Sequence, residues 1–213
     1  MQQFFNQQQI ASWDRFYRTH FINSLSGFKS ASLIATANTA GQPNLAIFSN
    51  IVHLGADPAL IGFVNRPREA APHTLANIEA TGIYSINLID AAMVQKAHQT
   101  SAKYPAETSE FDAVGLTPQW EEGFACPLVK ESKVKYMLSL QQIIPIEMNR
   151  TFFVIGAVQA VWVEDALLEE DGFIALEKAN IITSLGIDGY YTTQLVDRYD
   201  YAKPDRPTNP LQQ

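Results

Sequence analysis

The sequence predicts a mainly β fold with added helices, an antiparallel sheet closed or partly closed into a barrel. Runs rich in β-branched and aromatic residues recur about seven times, with only short helical stretches between them. Several follow one another too closely for a crossover helix, which argues against a doubly wound parallel sheet. The two longest, "VKYMLSLQQIIPIE" and "TFFVIGAVQAVWVE", are separated only by "MNR" and read as a hairpin.

The elements follow in order. Ile10, Trp13, Phe16 and Tyr17 recur at helical spacing and predict an amphipathic helix over about 8–25. "SASLIATAN" is a strand that ends in the turn "TAGQPN", where Gly41 and Pro43 suit a tight connection. "LAIFSNIVHL" and "ALIGFVN" are two further strands joined through "GADP". "HTLANIEAT" is a two-turn helix closed by Gly82, and "IYSINLI" is the next strand. Ala91–His98 is helical. "QTSAKYPAETSEFDAVGLTPQ" then reads as a long polar connection of the kind that is usually functional or disordered. The tail from about 204 to 213 is proline-rich and extended.

Composition bounds the function. The chain has 213 residues, 46% of them hydrophobic, with no internal repeat or composition shift, so a single domain over 1–213 is expected. A net charge of -7 argues against a nucleic-acid binder, whose affinity rests on accumulated positive charge. Cys126 is the only cysteine, which excludes an intrachain disulfide and favours a reducing compartment. No signal peptide opens the sequence and no uncharged apolar run spans a bilayer, so a cytoplasmic protein without a membrane partner is expected.

Chemistry concentrates in "LIGFVNRPREAAPHTLANIEATGIYSINL". Asn65, Arg66 and Arg68 lie just past a strand end, and His73 and Thr74 lie where the next helix begins. Guanidinium groups, a hydroxyl and unpaired helix N-terminal amides together make a cradle for a phosphomonoester, with Arg66 the first choice for the charge. Solvent-facing arginines and a Thr74 that merely caps the helix explain the same pattern. A second polar interruption, "NLAIFSNIVHLG", places Asn44, Ser49, Asn50 and His53 among apolar residues; strand alternation and a rim that binds a polar heterocycle are both open readings. No catalytic triad, carboxylate pair, metal-ligand cluster or GxGxxG is found, so no catalytic side chain and no metal is assigned.

"GQPNLAIFSNIVHLGADPALIGFVNRP" followed by "HTLANIEATGIYSINL" resembles the flavin reductase-like proteins of the FMN-binding split-barrel superfamily. The resemblance continues through "AHQTSAKYPAETSEFDAVGLTP" and "ACPLVKES" and so covers most of the chain. It implies a six-stranded antiparallel split β-barrel with added helices, a homodimer, and FMN near the subunit interface. Carried over by position, Ala46, Ile47, Phe48, Ser49 and Asn50 line the isoalloxazine and ribityl chain, and Asn65, Arg66, His73 and Thr74 surround the phosphate. His98 and Ser101 reach the flavin, with the partner subunit as one possible source. The "SEF" element, Glu110 and Phe111, is expected to be structural, at the loop or the dimer contact, and "GIDGYY" either edges a groove for the nicotinamide nucleotide or serves core or dimer packing through its tyrosines.

Many relatives carry Lys-Asp-Thr where this chain has Pro72, His73 and Thr74, which removes a fixed charge and leaves the choice between FMN and FAD open. The implied activity is hydride transfer from NAD(P)H to flavin, chemistry carried by the cofactors themselves. The rival readings are a non-catalytic FMN-binding electron carrier and a haem-binding split barrel.

Overall fold

The computed structural model describes residues 1–105 and 107–211; Ala106 in the polar connection and Gln212 and Gln213 of the expected tail lie outside them. Seven strands form the principal sheet: β1 Ser32–Ala37, β2 Pro43–Phe48, β3 Ile51–Ala56, β4 Ala59–Asn65, β5 Ile83–Leu88, β6 Val134–Ile146 and β7 Thr151–Val163. The helices are α1 Gln7–Ser12, α2 Arg15–Leu25, α3 Pro72–Thr81, α4 Val94–Gln99 and α5 Glu110–Val114.

The sheet runs β2-β1-β5-β6-β7-β4-β3, and every pairing in it is antiparallel. Its two edge strands, β2 and β3, are consecutive in the chain and separated only by Ser49 and Asn50. Two residues cannot cross the width of a flat sheet of seven strands spaced about 4.8 Å apart. The sheet must therefore curl until its edges meet, which makes a barrel with a seam at Ser49–Asn50. Asn50 closes the seam with its side chain: Nδ2 donates to the Val64 carbonyl at 2.8 Å and Oδ1 accepts from the Val64 N–H at 3.3 Å. That substitution of side-chain amide for backbone is why "LAIFSNIVHL", expected as one strand, breaks in two. The principal sheet consequently has seven strands, one more than the family resemblance implied and in line with the count from strand-like runs.

Side-chain alternation gives β1 two buried faces. Ile34 points into the barrel with Phe48, Phe63, Tyr84, Ile86, Leu138 and Val154, where Leu75 and Ile78 of α3 plug one end. Leu33 and Ala35 point outward and pack with Leu45, Met93, Ala97 and Phe111 under α4 and α5. Phe111 is fully buried, and it anchors α5 within a stretch expected as polar connection alone.

Two further departures lie at the ends. The single expected N-terminal helix is two, because Asp14 caps α2 by accepting from the Phe16 and Tyr17 amides and so interrupts the helix that Asn6 begins. A small outer sheet pairs Lys29–Ser30 with Ile182–Leu185, which pairs in turn with Gly189–Thr192, so "GIDGYY" is the turn and second strand of a hairpin. Among the described residues, no helix is long and apolar enough to cross a membrane.

Candidate functional site

A cavity of about 290 Å³ opens at the barrel seam. Its floor is the β2 edge, Ala46 to Phe48, continued by Ser49 and Asn50; its far wall is Arg66 with the first turn of α3, and its outer wall is Thr100 to Tyr104. Each part is placed by packing already described. Ala46 and Phe48 face the barrel core, whereas Leu45 and Ile47 face the outer one.

The backbone of the β2 edge has a defined polarity. The Leu45 N–H points away from β1, because it donates to the Glu110 carboxylate at 3.0 Å. Strand geometry returns the same direction two residues on, so the N–H and C=O of Ile47 also face outward at the cavity. Glu110, nearly buried, thus occupies one edge donor and leaves the next free. The sequence reading assigned Glu110 only to the loop or dimer contact. Nothing in the local sequence reveals a contact to a strand sixty-five residues away.

At the opposite wall, α3 begins with Pro72 at its first position and has no side chain capping its first-turn amides. Thr74 lies inside the helix, not at the cap, where Ala71 sits. Its hydroxyl accepts from Asn44 Nδ2 at 3.3 Å, and Thr36 accepts from Asn77 at 3.0 Å. This buried network ties the N-terminal turn of α3 to β1 and β2 and aims its dipole into the cavity.

The two arginines of the opening motif part company. Arg68 donates to Glu79 at 2.7 and 2.5 Å and lies 4.9 Å from the Phe152 ring centroid, outside this cavity. The pair holds the Glu79 carboxyl below its ordinary value, chiefly through the hydrogen bond from Arg68. The Arg66 side chain lines the cavity, and among the described residues its guanidinium has no hydrogen-bond or ion-pair partner. Lys103, on the outer wall, is equally unpartnered among them. Two carboxylates, Glu69 and Glu110, also reach the cavity, and Glu69 faces Arg150 at 3.5 Å.

Of the residues singled out by sequence, Ala46, Ile47, Phe48, Ser49, Asn50, Arg66, His73, Thr74 and Ser101 come together around this one cavity. Asn65 does not line it: the side chain is buried, and Nδ2 donates to the Arg66 carbonyl at 2.8 Å. His98 does not line it either, since its Nδ1 lies 2.8 Å from the Tyr190 hydroxyl on the outer surface. His53 is exposed on β3, and Gly186, Gly189, Tyr190 and Tyr191 are absent from the cavity lining. Glu69, Thr100, Lys103 and Tyr104 line it without having been singled out. Of these, Thr100, Lys103 and Tyr104 fall in the polar connection that length alone marked as functional or disordered.

The residues present suit a flat anionic cofactor. They combine an outward strand edge able to pair with a heterocycle, an apolar floor, and a helix N-terminus beside an unpaired guanidinium.

Comparison with known proteins agrees with this geometry. Residues 25–180 match the model of the flavin reductase like domain. The fold superposes on a Shewanella frigidimarina protein provisionally described as a flavin reductase with a split barrel domain, with a TM-score of 0.91 and 43% identity over 94% of this chain and 100% of that one. Nitrilotriacetate monooxygenase component B of Bacillus cereus shares the fold at a TM-score of 0.81 and 21% identity, covering 92% of this chain and 97% of that one. An uncharacterised protein of Aquifex aeolicus is 28% identical over 155 residues, 72% of this chain and 78% of its own. The chain therefore belongs to the flavin reductase like family of the FMN-binding split-barrel superfamily, with a flavin-binding redox role at the level of the family.

Proposed function

We propose that the protein is an FMN-dependent NAD(P)H:flavin oxidoreductase. The observation that carries this reading is the convergence, in one cavity at the barrel seam, of a free strand edge, an uncapped helix N-terminus and an unpartnered arginine. When bound, FMN supplies the hydride acceptor and a nicotinamide nucleotide the donor, so the reactive atoms belong to the cofactors. The chain's own task is to bind, orient and shield them.

In this reading Arg66 and the first-turn amides of α3 hold the phosphate, with His73 and Thr74 beside it. The Ile47 backbone groups pair with the polar rim of the ring system, and Phe48 and Ala46 offer apolar contact. Ser49, Asn50 and Ser101 lie along the path between ring and phosphate. Asn65 supports the Arg66 backbone, and His98 acts from outside the cavity. The protein works as one domain within a homodimer, a reading supported by the exposed Phe16, Tyr17 and Leu25 of α2.

The test is spectroscopic. The purified protein should bind FMN and turn yellow, and the bound flavin should bleach rapidly on anaerobic addition of NADH or NADPH. A protein that stays colourless after FMN addition and removal of excess would overturn flavin binding. Yellow protein that neither nucleotide bleaches would instead identify an electron carrier reduced by another protein. Titration with FAD alongside FMN decides which flavin is preferred.

A further inference from the structure

The outer wall of the cavity, Thr100 to Tyr104, hangs from the C-terminus of α4. A helix of six residues has little stability of its own, so the wall is only as firm as the contacts that hold α4. Those contacts are few. Ala97 is the one buried residue of the helix, Val94 packs half-buried against the outer core, Lys96 donates to the Gly115 carbonyl at 2.6 Å, and His98 meets Tyr190.

The last contact is the most directed. Nδ1 of His98 lies 2.8 Å from the Tyr190 hydroxyl, and the two rings stand perpendicular with centroids 5.7 Å apart. Tyr190 is half-buried and packs against the outer core. His98 in turn sits where the wall begins: its carbonyl accepts from the Ser101 N–H at 3.0 Å, and the neighbouring Ala97 and Gln99 carbonyls accept from Thr100 and Ala102 at 3.2 and 3.1 Å. Gln99 also donates from Nε2 to the Tyr104 hydroxyl at 3.2 Å. Tyr190 belongs to the hairpin Ile182–Leu185 and Gly189–Thr192, which lies beyond the residues matched by the family domain.

We propose that Tyr190 is a positioning residue for the cavity, acting through His98 to hold α4 and thereby the wall from Thr100 to Tyr104. The C-terminal hairpin is then a brace that lies outside the residues matched by the family domain. The brace is a property of the ligand-free protein; its effect on flavin affinity rests on the reading proposed above.

Tyr190→Phe tests it, because the ring and its packing remain and only the hydroxyl is lost. Two readouts are needed. In the flavin-free protein, amide hydrogen exchange at Thr100, Ser101 and Ala102 should accelerate while the barrel strands and the thermal midpoint stay unchanged. In the FMN titration the dissociation constant should rise about two- to tenfold, the worth of one neutral hydrogen bond. His98→Ala should reproduce both effects, and the double variant should exceed neither single one, as expected for a shared interaction. Unchanged exchange at the wall overturns the brace, and faster exchange with unchanged FMN affinity overturns its role at the cavity. Failure of the unaltered protein to bind FMN removes the flavin reading and the affinity effect together; the exchange result then decides the brace alone.

Discussion

Arg66 and Arg68 are two residues apart, yet only one is free to bind a ligand. Arg68 is committed to Glu79 and the Phe152 ring, whereas the Arg66 guanidinium has no protein partner among the described residues. Arg66→Ala should therefore weaken FMN binding by about 1.5–3 kcal/mol, roughly 10- to 150-fold, the worth of a hydrogen bond to a charged group. Arg68→Ala should leave flavin affinity within about twofold and lower stability by at most about 1 kcal/mol, as for other exposed ion pairs. Fluorescence titration of both variants with FMN checks the pair, and equal losses would show that the phosphate lies elsewhere. The sequence showed two arginines at a strand end but not which was engaged, because Glu79 joins Arg68 only after α3 folds back. His98 carries the same lesson. Its place in a motif suggested flavin contact, from this or the partner subunit, and within the chain its imidazole meets a tyrosine ninety-two residues away.

The seam and the hairpin decide what the elements do. Asn50 replaces a strand neighbour for Val64, so Asn50→Ala removes two hydrogen bonds and leaves part-buried backbone groups unpaired. The expected cost is about 1–3 kcal/mol in a urea titration, with weaker FMN binding because the cavity floor runs through the same residue. On β7, Gly156 sits against the side chain of Tyr84, and an added methyl group there would overlap the buried tyrosine hydroxyl. Gly156→Ala should destabilise the barrel by about 1–3 kcal/mol through overpacking, again visible in the urea midpoint. The strands themselves were legible, since β-branched and aromatic runs mark them. The break between β2 and β3 was not, because Asn50 reads as one polar residue in a strand until its partner is known. Helix α5 was missed for a related reason: five residues give too little periodicity, and Phe111 earns its place only by burial under β1 and β2.

At the scale of the molecule, Cys126, Tyr84 and Tyr136 are sealed in apolar surroundings and push stability the same way with pH, while burial lowers the pKa of Lys135 and opposes them in part. Burial raises the Cys126 thiol to about 12. Burial raises the phenols of Tyr84 and Tyr136 as well, with the nearness of Tyr136 adding to the effect on Tyr84. In an unfolded chain the thiol ionises near pH 8.5 and a phenol near pH 10, roughly. Their contribution is therefore fully present below about pH 8.5 and is lost as the pH rises toward the folded values. The urea midpoint should fall steadily between about pH 8.5 and 11, and Cys126→Ala should flatten the earlier part of that fall. A midpoint independent of pH across this range would show that these groups are reachable by water in the folded state.

The order of apolar runs and turns was enough to specify an antiparallel β fold with short added helices, because alternation, turn chemistry and loop length are local properties. The motif around Asn65 to Thr74 likewise marked a cluster of unpaired donors, the basis of the proposed phosphate site, since strand ends and helix starts carry such donors wherever they occur. Which groups meet there is another matter. The barrel closes through a two-residue seam, and that closure brings the edge of β2, the start of α3 and the wall after α4 around one cavity. Closure also sends Arg68 to Glu79 and His98 to Tyr190. These pairings depend on contacts between residues far apart in the chain, and only the folded molecule settles them.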